Sequence, residues 1–227
     1  MTAHPLDRPV WNAFTTRQSA FAVGGPHALR IDPEMGLFAA MADTSEEGRA
    51  ALAALMPEEG VLGLVEPAPP VLPAGVAIVK QARCVQMVAE CLNVPVPDMD
   101  YQTLGDSDTA EMLALATRTE PGPFAIKTHR LGNFIGIRHD GALIAMAGER
   151  MRPPGFTEVS GVCTHPDFRG RGYAKGLMAL VAQGILDRGE VPFLHAYADH
   201  AATIALYERL GFRVRATLVY TLIARQV

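Results

Sequence analysis

The sequence predicts a mixed α/β fold, one sheet with helices packed against it, and three observations carry that reading. Residues 156–187 run strand, glycine-rich turn, helix: Phe156 to Thr164 alternates β-branched or aromatic residues with small and polar ones, and Gly176, Leu177, Met178, Leu180 and Val181 follow at helical spacing. Strand-like apolar runs alternate with helical ones along the chain, as a single mixed sheet with flanking helices requires. His139-Asp140-Gly141, between apolar runs at 134–138 and 142–147, is a tight hairpin signal.

Taken in order, Val10 to Val23 reads as a helix closed by Gly24-Gly25-Pro26, and Ala28 to Ile31 as a strand. Ser45 is an N-cap, with Glu46 and Glu47 in the first turn of a helix through Leu55 that Pro57 closes. Val61 to Val65 reads as a strand and Glu66 to Pro73 as a proline-rich connector. Gly75 to Val79 and Cys84 to Ala89 are apolar runs expected to pair around a turn at 80–83. Two prolines in Asn93-Val-Pro95-Val-Pro97-Asp98 mark a domain boundary, dividing the chain into 1–98 and 99–227. Beyond it come a strand at Tyr101–Leu104 and a helix at Thr109–Arg118, with N-caps offered by 106–108 and an apolar face of Met112, Leu113, Leu115 and Ala116. The hairpin, the Phe156 strand and the helix from about Gly172 to Asp187 follow. A strand at Val191–Ala198, a helix at Ala201–Leu210 and one or more strands within Val214–Ile223 complete the chain.

Composition narrows the function classes. The chain has 227 residues, 49% of them apolar, which is enough for a sizeable core. A net charge of −4 gives no electrostatic reason to expect nucleic acid. No apolar run approaches membrane-spanning length, and the first residues lack a basic segment followed by an apolar one, so neither a membrane span nor a secretory signal is expected. Cys84, Cys91 and Cys163 form no CxxC pair, which fits a reducing cytoplasm, and no zinc spacing is present.

The chemistry concentrates in Arg169-Gly170-Arg171-Gly172-Tyr173-Ala174. Glycines let a backbone turn tightly and approach a ligand, the first N–H groups of a helix have no intrahelical acceptor, and the helix dipole favours an anion there. Two arginines add phosphate-matching charge. The physical reading is a pyrophosphate cradle, while the Walker and dinucleotide-binding glycine patterns are absent.

This Arg-x-x-Gly-x-Ala run, entered from Val-Cys-Thr-His-Pro, resembles the acetyl-CoA-binding motif of the GNAT superfamily of N-acetyltransferases. Downstream, His200-Ala-Ala-Thr-Ile-Ala-Leu-Tyr207-Glu-Arg-Leu-Gly211-Phe212 is similar to that family's Asn-x-x-Ala-x-x-Leu-Tyr-x-x-x-Gly-Phe segment. The resemblance implies a GNAT fold over 99–227 and transfer of an acetyl group from acetyl-CoA directly to an amine, with no metal. Residues 1–98 then read as a smaller α/β domain, or a degenerate half of the same fold, that supports the catalytic part or walls the acceptor site. The C-terminal part also resembles the C-terminal domain of glycine N-acyltransferase, which points to small amines or amino acids. The partners implied are acetyl-CoA and an amine-bearing small molecule, for a monomer or homodimer. Transfer from a longer acyl-CoA and a non-catalytic CoA sensor are the competing readings.

Site residues follow from chemistry and resemblance together. An amine must be neutral to attack a thioester: at pH 7 this costs roughly 4.6 kcal/mol for a lysine-like amine and only about 1 kcal/mol for an α-amino group. A general base helps either by about 10²–10⁴-fold. Glu158 is the first candidate, sharing a strand face with Val162 and Thr164 by simple alternation, and Glu149, ending the preceding strand, is the second. Backbone N–H groups of Val162, Cys163 and Thr164 are donors for a developing oxyanion. The resemblance makes Tyr207 the acid that protonates the leaving thiolate, with pantetheine contacts at Tyr207 and at His200, where the family has asparagine. The cradle residues Arg169 to Ala174 bind the pyrophosphate. His129 in the expected acceptor loop, Glu149 and mid-strand His195 are candidates for the acceptor side. Cys163 alternates away from the Glu158 face and reads as core.

Overall fold

A computed structural model describes residues 4–226. The strands are β1 (Ala22–Gly24), β2 (Ala28–Ile31), β3 (Ala39–Met41), β4 (Leu62–Glu66), β5 (Val76–Val88), β6 (Gln102–Leu104), β7 (Phe134–His139), β8 (Ala142–Glu149), β9 (Phe156–Thr164), β10 (Val191–Tyr197) and β11 (Arg213–Arg225). The helices are α1 (Pro9–Phe14), α2 (Glu46–Leu55), α3 (Thr109–Thr119), α4 (Tyr173–Asp187) and α5 (Ala201–Leu210). Eight strands form one mixed sheet in the order β4-β11-β5-β10-β9-β8-β7-β6, and β1-β2-β3 form a small antiparallel sheet beside it.

The expected division at 98/99 does not separate two sheets. β5, from the first 98 residues, lies between β10 and β11 and is antiparallel to both, and β4 closes the sheet against β11. The reason is the length of β5: the thirteen-residue strand pairs along β11 from Arg213 to Arg225, so Lys80–Arg83 continue a strand instead of turning. The sequence around Lys80 is polar because much of that stretch is exposed, not because the chain reverses there.

The first helix is also shorter than its apolar pattern suggests. Thr15 and Thr16 return their hydroxyls to the carbonyls of Trp11 and Asn12 at its end. Gln18, buried, is drawn into tertiary bonds, donating to the carbonyls of Leu131 and Arg150 and accepting from the Arg152 N–H. Elsewhere local signals hold. Ser45 Oγ accepts from the Gly48 N–H at 3.1 Å and caps α2, and Asp140 and Gly141 take φ of 50° and 80° in the β7–β8 turn. Residues 124–131 form only a 3-10 turn at Thr128–Leu131.

Two cores fill the faces of the large sheet. On one, Leu177, Met178, Val181 and Ile185 of α4 meet Met87, Ala147, Val159 and Leu194. On the other, α1 and the small sheet pack Phe14, Ile31 and Phe38 against Cys84, Val88, Phe193 and Leu218, while α3 packs Met112 and Leu115 against Phe134, Met146 and Cys163. Each such large apolar side chain contributes about 1.5–3 kcal/mol on burial. Among the described residues, no helix is long and apolar enough to cross a membrane.

Candidate active site

The site is made by a parting of strands. β9 and β10 are the parallel neighbours of the sheet, yet they pair only at Phe156↔Val191, Thr157↔Pro192 and Glu158↔Phe193. Past Glu158 the β10-facing edge of β9 has no strand partner, so its polar backbone is available to a ligand. β9 is itself irregular: Met146↔Cys163 and Gly148↔Ser160 are paired, which sets Gly161 and Val162 opposite Ala147 alone. Gly161 takes φ 63°, and a side chain there would strike the Phe134 ring at 2.8 Å, so the bulge needs glycine.

That bulge overturns the face expected for Val162. The extra residue reverses alternation, so Val162 packs with Val159 toward α4, and Cys163, expected on the opposite face from Glu158, joins the α3-side core. Burial pushes the Cys163 thiol up to about 11, as it does that of Cys84. Both are poor nucleophiles.

The cradle forms at the start of α4. Gly170 and Gly172 take φ of 77° and 82°, and a Cβ on either would project into open space. Among the described residues, the N–H groups from Gly170 to Lys175 donate no hydrogen bond, and Thr164 Oγ1 is buried without a partner. A pocket here is lined by Val162, Cys163, Thr164, Arg169, Gly170, Gly172, Tyr173 and Ala174. Arg169 leans back toward the Thr164 carbonyl at 3.4 Å. Arg171, expected among the binding residues, is absent from that lining: its guanidinium stacks on Phe168, 4.9 Å from the ring centre. Free donors, positive charge and space for an oxygen-rich anion fit a pyrophosphate.

Val162 and Thr203 border both this pocket and a second cavity of about 530 Å³. Tyr207 enters the cavity from α5, and its hydroxyl makes no hydrogen bond among the described residues. Burial pushes its pKa up, so it is a protonated donor at neutral pH. His200 stands at the rim with its ring 5.2 Å from that of Tyr197.

Glu158 lines the cavity but is not arranged as a simple base. It is 1% exposed, takes Arg150 Nε and Nη2 at 2.9 Å each, and accepts from His195 Nδ1 at 2.8 Å. Burial raises its pKa, but the Arg150 charge and the His195 and Arg150 hydrogen bonds outweigh it, leaving the group lowered to about 2. A carboxylate so stabilised holds a proton poorly at pH 7.

His195 is the group it orients. Gln86 fixes the tautomer: its Oε1 takes Arg215 Nη1 and its Nε2 donates to the Leu6 carbonyl, both at 2.9 Å, so the 3.2 Å contact to His195 Nε2 is a donation to the ring. The Nδ1 proton therefore faces Glu158, and the Nε2 lone pair accepts from Gln86. Arg150, Gln86 and Arg215 belong to this network, and sequence reading missed them. Gln86 and Arg215 meet His195 only through the β5–β10 and β5–β11 ladders, which no local pattern announces.

Two acceptor-side candidates lie elsewhere. His129 is 7% exposed, bonds Asp106 Oδ1 at 2.8 Å, and ties the 3-10 turn to the start of α3. Glu149 is 2% exposed and pairs with Arg188 at 2.7 Å beyond α4, its backbone bonded to Asn133. Neither lines the cavity. The far wall is instead supplied by Phe38, Val65, Lys80 and Cys84 from the first 98 residues, with Tyr197 and Tyr220. Among the described residues, no group of three or more His, Cys, Asp or Glu is placed to hold a metal ion.

Comparison with known proteins agrees with this geometry. A family model described as FR47-like protein matches residues 134–221. The N-alpha-acetyltransferase RimI of Mycobacterium tuberculosis (strain ATCC 25618 / H37Rv) is 34% identical over 86 residues, 36% of this chain, which spans 52% of that curated relative. A GNAT-family protein of Novosphingobium aromaticivorans DSM 12444 is 48% identical, with a TM-score of 0.91 over 99% of this chain and 100% of that one. A GCN5-related N-acetyltransferase from Kribbella flavida shares the fold at 22% identity, with a TM-score of 0.66 over 97% of this chain and 96% of its own.

Proposed function

Because this chain belongs to the GNAT family of N-acetyltransferases, we propose that it moves an acetyl group from acetyl-CoA directly to the primary amine of a small molecule or amino acid. The observation that carries this reading is the continuity of cradle and cavity at Val162 and Thr203, which joins an anion site to a cleft holding a phenol and a carboxylate-oriented imidazole. Acetyl-CoA supplies an activated thioester; binding, orientation and proton movement fall to the protein.

The backbone from Gly170 to Lys175 and Arg169 hold the pyrophosphate, and the open edge of β9 takes the pantetheine arm, with Val162, Cys163 and Thr164 offering backbone donors to the charge that develops on the acyl oxygen. The amine nitrogen attacks the acyl carbon from the cavity side, a C–N bond forms and the C–S bond breaks. The amine's proton goes to His195 Nε2, displacing the Gln86 contact, while Glu158 holds the resulting imidazolium through Nδ1. Glu158 thus acts through His195, which revises the base role expected of it. Tyr207 gives its hydroxyl proton to the departing thiolate.

Thiol release from acetyl-CoA, measured against small amines, amino acids and peptides with thermal shift alongside, tests this reading. Release with one acceptor class supports it. Stabilisation by acetyl-CoA with no release on any class leaves a CoA-binding module in its place.

A further inference from the structure

We propose that the acceptor is a free amino acid with an apolar or aromatic side chain, recognised as a zwitterion; the inference rests on the acetyl-transfer reading and deepens it. Four formally charged groups line the cavity, Lys80, Glu120, Arg150 and Glu158. Arg150 and Glu158 neutralise each other, but Arg150 spends only Nε and Nη2, and its Nη1 makes no hydrogen bond among the described residues. Lys80 has no carboxylate partner there. Its Nζ lies 4.9 Å from the Tyr197 ring centre and 3.5 Å from the Tyr197 hydroxyl. Both leave cationic donors on the wall built by β5, β10 and the residues after β8, where a carboxylate is the matching ligand.

The remaining carboxylate of the lining is Glu120. Glu120 follows α3, which packs on β8 and β9, and it too has no ion-pair partner among the described residues. An ammonium in the cavity has both Glu120 and His195 among the groups that line it. Glu158 Oε1 links Arg150 Nη2 (2.9 Å) to His195 Nδ1 (2.8 Å), so a single carboxyl group separates the free guanidinium edge from the imidazole. That is a separation suited to an acceptor whose amine and carboxylate are close neighbours. Between these charges the wall is Phe38, Val65, Tyr197 and Tyr220, with Phe38 and Tyr197 rings each 6.4 Å from Tyr220. Apolar and aromatic walls with a few converging polar groups suit an apolar side chain. A protein N-terminus lacks the carboxylate at this position.

The test is calorimetric titration of the CoA-loaded full chain with N-acetylphenylalanine and with its neutral carboxamide, alongside thiol release with phenylalanine, phenylalaninamide and phenethylamine. The acid should bind about tenfold or more tighter than the carboxamide, the scale of a charge-assisted contact, and phenylalanine should have the highest kcat/KM. Lys80→Met should shrink the acid-over-amide ratio to about twofold. Equal binding of acid and carboxamide, or faster turnover of phenylalaninamide or of peptides, would overturn the proposal while acetyl transfer itself stood. Acid-selective binding without thiol release on any acceptor would uphold the zwitterion site as a binding site and overturn both the transferase reading and the acceptor role.

Discussion

Replacing Glu158 with glutamine perturbs one atom and several interactions. The carboxylate now receives three donors on two oxygens: Arg150 Nε and Nη2, and His195 Nδ1. Glutamine offers one oxygen and one NH₂, so at least one donor faces another donor, and Arg150, whose side chain is 11% exposed, loses its counter-charge. Breaking a buried pair from one side costs about 3–5 kcal/mol. In a chain of 227 residues this lowers Tm by about 6–20 °C. The acid limb gives an independent reading. The folded pKa of Glu158 is depressed from 4.5 to about 2, so the stability it contributes is present above pH 4.5 and is lost as pH falls toward 2. At about 1.36 kcal/mol per pKa unit that contribution is roughly 3 kcal/mol. Urea unfolding at a series of pH values should show this loss in the wild type and a correspondingly flatter limb in Glu158→Gln. Turnover, followed by thiol release, should fall about 10²–10³-fold because His195 loses its orienting partner. A variant that melts within about 2 °C of wild type and keeps its acid limb and turnover would refute the network.

Tyr207→Phe should lower kcat about 10²-fold with KM for acetyl-CoA little changed, since only the thiolate's proton donor is lost; steady-state kinetics on both substrates decides. Gly172→Ala places a side chain at φ 82° in the open cradle, and should cost about 1–2 kcal/mol of stability and raise KM for acetyl-CoA. Cys91 is exposed while Cys84 and Cys163 are buried with thiols pushed to about 11, so a thiol reagent at pH 8 should modify Cys91 alone in the folded protein and all three after unfolding.

Most of the elements, and the stretch that forms the candidate cradle, were legible because their signals are local. The strand, cradle and α4 occupy one continuous stretch, and the Leu-Tyr-x-x-x-Gly-Phe run lies on α5, whose Tyr207 lines the cavity. The rest of the cavity was not legible, because it is assembled by strand pairing between distant segments. Gln86 meets His195 across a ladder and Arg215 reaches Gln86 from a second one, while Phe38 and Lys80 arrive from the part of the chain that carries no motif. Alternation misled at Val162 because one extra residue at Gly161 reverses it. His129 and Glu149 looked available because a polar side chain in a sequence does not declare its partner; Asp106 and Arg188 already hold them.

The placement of β5 between β10 and β11 has a consequence for the birth of the protein. Both neighbours of this strand lie in the final stretch of the chain, from Val191 onward, and β4 likewise waits for β11. On the ribosome, therefore, residues 62–88 emerge with the edges that face β10 and β11 open, and these ladders wait until residues 191–225 have followed. Synthesis leaves the earliest-made part of the catalytic sheet to be completed last, so loss of Arg213–Arg225 should abolish folding of the whole chain and turn β4 and β5 into sites of aggregation.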